Sequence, residues 1–184
     1  MNLATASLER QSLDILTATL HSGIWNLDCD SQGRICRVSW DSSCRTLFGF
    51  QNTADFPDEL QSWSRLLAPL DRERAQQELS DALASVSDKY DSRYRMLFVD
   101  GSLHWLHSRA TILRRPDGTA SHVVGLFQDV TAEERQKERS RQAEAFHNAC
   151  TRLNLCEYYV NLDDNTFASM KAGATPLSHL RTRV

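Results

Sequence analysis

Six histidines and five cysteines are the first places to look for chemistry in this chain of 184 residues. Either type could ligate a metal, move a proton or attack carbon. Spacing limits what they can do. His104 and His107 stand three apart in a segment that reads as a strand, where side chains alternate, so they face opposite ways and cannot share one ion. His21, His122, His147 and His179 stand alone in sequence, and a surface or hydrogen-bonded role is expected for each. Cys29, Cys36, Cys44, Cys150 and Cys156 are odd in number and contain no Cys-x-x-Cys pair, which argues for reduced, packed thiols over zinc or disulfides. Asp163-Asp-Asn165 lacks the Gly and Glu of a calcium loop and reads as a turn. No two glycines are close enough to cradle a phosphate. No catalytic residue and no metal site is expected.

Composition narrows the class further. Hydrophobic residues make 41% and charged residues 24%, the mix of a globular chain with one principal core. Twenty-four acids against 21 bases give a net charge of -3, so no nucleic-acid partner is expected. The bases within 133–142 alternate with glutamates, which suits a solvated helix. The start of the chain lacks the pattern of a signal peptide. The longest apolar run, Val123 to Phe127, is far short of the roughly 20 residues that cross a bilayer. A cytoplasmic location without a membrane segment is expected.

The elements that must position these residues follow from periodicity. Leu8, Leu13, Leu16 and Leu20 predict an amphipathic helix over residues 1–22. Residues 23–28 and 34–40 read as strands joined by the turn-rich Asp30-Ser-Gln-Gly33. Helical pieces are expected over 42–48 and 57–67, then a longer helix capped by Asp71 with Ala75, Leu79, Ala82, Leu83 and Val86 on one face. Residues 90–99, 102–114 and 119–130 read as three strands, linked by Asp100-Gly101 and Pro116-Asp-Gly118. Strands, helices, then strands again, without βαβ alternation, predict an α+β domain on a five-stranded antiparallel sheet. Thr131-Ala-Glu-Glu134 fits a capping box that opens a helix free of apolar residues over 133–142. From about residue 150 the helix–strand–turn–strand order starts again, and 172–184 reads as a tail without fixed structure.

The ordered set of local signatures resembles the PAS domain, a bacterial sensory module. The matching stretches are Val38-Ser-Trp-Asp-Ser-Ser-Cys-Arg-Thr-Leu-Phe-Gly-Phe50 and Phe56-Pro-Asp-Glu-Leu-Gln-Ser-Trp-Ser-Arg-Leu-Leu-Ala-Pro-Leu-Asp71. Tyr94-Arg-Met96, Asp100-Gly-Ser-Leu-His-Trp105 and Val124-Gly-Leu-Phe-Gln-Asp-Val-Thr131 complete it. One departure is Pro69-Leu-Asp71 where the family usually reads Pro-Asp-Asp; the acid before the long helix survives. The stretch is similar to PAS domains, with their trailing PAC segment, that precede diguanylate cyclase, histidine kinase and chemoreceptor outputs. Leu153-Asn-Leu-Cys-Glu-Tyr-Tyr-Val-Asn-Leu-Asp163 resembles the start of a second one. The implied organisation is a flanking helix (1–22), a PAS domain (23–130), a linker helix (131–149) and a truncated second PAS domain (150–184).

The resemblance implies a PAS fold, with short helices over one sheet face enclosing an apolar interior. Alternation with family-like pairing puts Trp25, Leu27, Val38, Tyr94, Met96, Leu106, Ser108, Val123, Gly125 and Phe127 on that side. Two readings stand for them: a pocket for an unidentified small molecule, or a core they fill themselves. Asp129, Thr131 and Glu134 would relay a shift of the sheet into the helix, for which a bias of ~1–3 kcal/mol suffices. Two cofactors of the family are not expected. Haem needs a histidine on the long helix, and residues 71–86 contain none. Photochemistry on flavin needs an Asn-Cys-Arg-Phe-Leu-Gln motif; Ser43-Cys-Arg-Thr-Leu-Phe48 echoes it one helix too early, and Phe127 stands in place of the flavin-contacting glutamine. The implied role is sensory regulation of a C-terminal output domain, a diguanylate cyclase foremost, by a homodimer. The alternative is a ligand-free dimerisation module with a histidine kinase or chemoreceptor output.

Overall fold

The computed structural model describes residues 11–13, 15–152, 156–161 and 166–171. It forms two compact units, residues 1–132 and 133–184. In the first, β1 (Ser22–Cys29) and β2 (Ile35–Trp40) precede three helices, α1 (Ser42–Phe48), α2 (Leu60–Leu66) and α3 (Pro69–Ala84). Then come β3 (Lys89–Leu97), β4 (Leu103–Arg114) and β5 (Ala120–Asp129). The sheet order is β2-β1-β5-β4-β3 and every pair is antiparallel, the architecture expected.

Alternation decides which face is dry. Trp25, Leu27 and Cys29 of β1 are buried, as are Tyr90, Ser92, Tyr94 and Met96 of β3. Leu106, Ser108 and Ile112 of β4 join Val123 and Phe127 of β5 on the same side. Cys44 and Phe48 from α1, Trp63 from α2, and Ala75 and Leu79 from α3 close over them to make one core.

Two expectations for α3 need correction. The helix starts at Pro69, two residues before Asp71, because proline at the first helical position has no N–H to waste and a φ already set for helix. Asp71 is therefore inside the first turn, not at the cap. It is buried, and its carboxylate accepts from the Arg95 backbone N–H (3.0 Å) and from Arg95 Nε (2.7 Å) and Nη2 (3.1 Å). At the other end α3 stops at Ala84, so Val86 lies past the helix and is 96% exposed. The helix end is held by Arg114, whose guanidinium donates to the carbonyls of Ala82, Leu83 and Ser87.

Before the sheet, residues 11–13 and 15–19 are helical, and Leu13, Leu16 and Leu20 are exposed while Thr17 is buried. Leu8 lies outside the described residues. At the end of the first unit, α4 (Thr131–Arg152) begins directly after β5, and its residues beyond 132 belong to the second unit. There β6 (Cys156–Asn161) pairs antiparallel with β7 (Thr166–Lys171). Asp163, Asp164, Asn165, His179 and the 172–184 tail lie outside the described residues.

Candidate functional site

The sheet interior is an aromatic stack centred on Phe127. Trp25, Trp40 and Phe48 have ring centroids 5.6, 6.1 and 5.4 Å from it. A flat indole fits beside β5 because residue 125 is glycine: a Cβ there would sit 2.1 Å from Trp25 Cε2. Gly125 is therefore the floor under Trp25. Gly23 serves a similar end, since a Cβ there would lie 2.6 Å from the Cα of Cys44 and push α1 off the sheet.

The ten interior candidates all fall on the buried side, but they do not share one cavity. Trp25, Leu27, Tyr94, Ser108 and Phe127 line a cavity of about 10 Å³ together with Tyr90 and Trp63. Val38, Met96, Leu106, Val123 and Gly125 are buried away from it. Tyr90 and Trp63 are absent from the candidate set, although Tyr90 has the same strand parity as Tyr94 and Met96, so alternation carried that signal. Trp63 sits on α2, where no strand rule applies. Its indole N–H donates to the Tyr94 hydroxyl at 3.1 Å.

Burial makes the polar groups here reluctant to ionise. The Tyr90 phenol is pushed up to about 12 by burial, and burial drives the Tyr94 phenol well above its ordinary value. Among the described residues Trp25 Nε1, Tyr90 Oη and Ser108 Oγ are buried with no hydrogen-bond partner of ordinary length and angle. The cavity does not fit the larger family cofactors. Pockets for such molecules run to about 300–1,000 Å³, and no histidine lines this one.

At the end of β5 a second cluster ties the sheet to α4. Asp129 accepts the Thr131 backbone N–H on Oδ1 (2.9 Å), and its Oδ2 lies 2.6 Å from His104 Nδ1. The Thr131 hydroxyl accepts the backbone N–H of Trp105 on β4 at 2.9 Å, so it reaches across to the sheet. Val130 N–H donates to the Trp105 carbonyl at 2.9 Å. Partial burial pushes the Asp129 carboxyl up, but hydrogen bonds from Thr131 and His104 outweigh it and hold the group below the usual carboxylate range. Glu134 pairs with Lys137 at 2.8 Å.

His104, for which strand alternation only excluded an ion shared with His107, joins two parts of this cluster. Its ring stacks on Phe98 with centroids 3.9 Å apart, and Nε2 lies 2.7 Å from Ser102 Oγ. Its strand parity matches Leu106 and Ser108, which puts it on the helix-covered side, whereas His107 pairs with Asp91. Both His104 and Asp129 line an open groove of about 680 Å³ bounded by Thr17, Ser22, Phe48 and Phe98. On the other side of β4, the Arg95 guanidinium lies 5.4 Å over the Trp105 ring, and Arg95 is the residue that Asp71 holds. Contact thus runs from α3 through β3 and β4 to the first residue of α4. Elsewhere, buried Arg45 binds the Trp40 and Phe56 carbonyls and Asp58, and locks the β2–α1 corner.

Residues 37–127 match the family model described as the PAS fold, the span that carries this sheet and its covering helices. This unit is a PAS domain. The sensor protein FixL of Bradyrhizobium diazoefficiens is 30% identical to the chain over 128 residues, 68% of this chain but 23% of that protein. The chain thus spans less than a quarter of that relative's length. Among solved structures, a sensory box histidine kinase/response regulator from Burkholderia thailandensis superposes with a TM-score of 0.59 at 22% identity. It covers 74% of this chain and 98% of its own. The N-terminal domain of a diguanylate cyclase with PAS/PAC sensor from Marinobacter aquaeolei gives 0.51 at 16% identity, over 61% of this chain and 98% of its own. At these identities both likenesses speak to the PAS fold alone.

Proposed function

We propose that this PAS domain is the sensory and regulatory part of a longer cytoplasmic signalling protein, and that it controls a C-terminal output domain through α4. The observation that carries the reading is the paired attachment at the junction: Thr131 is bonded through its N–H to Asp129 on β5 and through its hydroxyl to Trp105 on β4. A change in the relative position of these two strands alters the start of the helix. The open groove reaches Asp129 and His104 directly, so an event there acts on the junction without passing through the core. The hairpin of β6 and β7 after α4 repeats the order of β1 and β2, which supports reading residues 150–184 as the start of a second PAS domain. The domain itself senses; chemistry belongs to the output, with a diguanylate cyclase first and a histidine kinase second.

The test uses the full-length protein. Thr131→Val and Asp129→Asn should each change cyclic di-GMP synthesis, or autophosphorylation if the output is a kinase, at least severalfold, while Arg37→Ala on β2 leaves it unchanged. Output equal to the unaltered protein in both junction variants contradicts the reading. A second reading, a dimerisation platform, is favoured by Leu13, Ile15, Leu16 and Leu20, which are 45–66% exposed on the leading helix.

A further inference from the structure

The core of the PAS domain contains an arrangement that its packing does not explain. Trp25 Nε1, Tyr90 Oη and Ser108 Oγ come from three different strands, and their residues are 3%, 4% and 0% exposed. None of the three atoms has a hydrogen-bond partner of ordinary length and angle, although Tyr90 Oη and Ser108 Oγ lie near each other and near Tyr94 Oη. An unsatisfied buried polar group costs about 1–3 kcal/mol, so three in one core is a large debit for a small domain. All three residues line the same cavity, and its volume is about 10 Å³. One water molecule needs roughly 10–15 Å³ measured in this way.

We propose that this cavity is a binding site for a single ordered water that bridges Trp25, Tyr90 and Ser108. The hydrogen-bond count fits. The indole N–H can only donate, whereas the two hydroxyls can donate or accept. A water that accepts from Trp25 and one hydroxyl and donates to the other makes three bonds, the usual number for a buried water. Tyr94 Oη accepts from Trp63 and Ser92 Oγ donates to Glu78, which leaves the Tyr94 proton as a further donor at the site. The two phenols and Ser108 sit close enough to perturb one another's ionisation, so the polar atoms converge in one place. The remaining lining, including Leu27, Leu79 and Phe127, is apolar and confines the site. Trp25 lies over Gly125 of β5, so the water would pin β1 to β3 and β4 across the strand between them. The site is distinct from the Asp129–Thr131 junction and does not depend on it.

Oxygen-17 relaxation dispersion, which reports water oxygen alone, tests this in the intact chain using oxygen-17-enriched water. Unaltered protein should show one more long-lived water than Ser108→Val, whose added methyl fills the space and removes a partner. Tyr90→Phe should lose the same water while keeping the packing, and it decides the matter if Ser108→Val does not fold. An unchanged long-lived water count in Tyr90→Phe would overturn the proposal. So would recovery of an organic molecule, stoichiometric with protein, on denaturing mass spectrometry.

Discussion

Thr131 illustrates how much can depend on one side chain. It is buried, and its hydroxyl is the hydrogen-bond acceptor of the Trp105 backbone N–H. Thr131→Val keeps the shape but leaves that N–H unsatisfied, so a loss of about 1–3 kcal/mol is expected in urea denaturation. The carboxylates give the domain a pH dependence with a definite sign. Asp71 is held below the ordinary carboxylate range, chiefly by its hydrogen bonds from Arg95, and Asp129 is lowered as well. Both folded-state values are depressed. Their stabilisation is therefore present above the unfolded carboxylate pKa and is lost as pH falls through that value and then the lower folded one. Urea midpoints measured from about pH 6 downward should drop in the unaltered protein and drop less steeply in Asp71→Asn with Asp129→Asn. Parallel slopes would remove these two groups as the cause.

At the scale of elements, the sequence was informative wherever one rule acted alone. Strand alternation set Tyr94 and Met96 on one face, the pairing implied by the family resemblance added Leu106 and Phe127, and turn residues set the hairpins. Rules in competition were harder to read. Asp71 satisfies the composition rule for a cap, but Pro69 outranks it as a helix start, and the acid is then free to bind Arg95. Val86 continues the apolar period of α3 although the helix has already ended at Ala84. Close approaches were not legible at all, since Gly23 and Gly125 matter through partners twenty or a hundred residues away, Cys44 and Trp25. Gly125→Ala should therefore destabilise the domain by about 1–3 kcal/mol through overpacking and shift the Trp25 indole N–H resonance. Tolerance of alanine with an unmoved indole signal would show that the floor under Trp25 is not as tight as its geometry indicates.

For the PAS domain as a whole, helices cover one sheet face, α4 begins where β5 ends, and the leading helix exposes an apolar strip. Leu16 and Leu20 are 57% and 54% exposed, so changing them cannot empty a core. Leu16→Glu with Leu20→Glu should lower the mass by light scattering from two chains to one if that strip joins partners, and the same mass in both proteins would rule it out. The central claim is that α4 is anchored by the sheet, and hydrogen exchange at single amides measures it most directly. In Thr131→Val, the Trp105 amide and those of Arg135 to Arg139 should exchange at least about tenfold faster, while Leu27 and Val123 in the core keep their protection. Equal exchange at those helix amides in the two proteins would mean that the helix stands without the sheet, and the relay would have no physical basis.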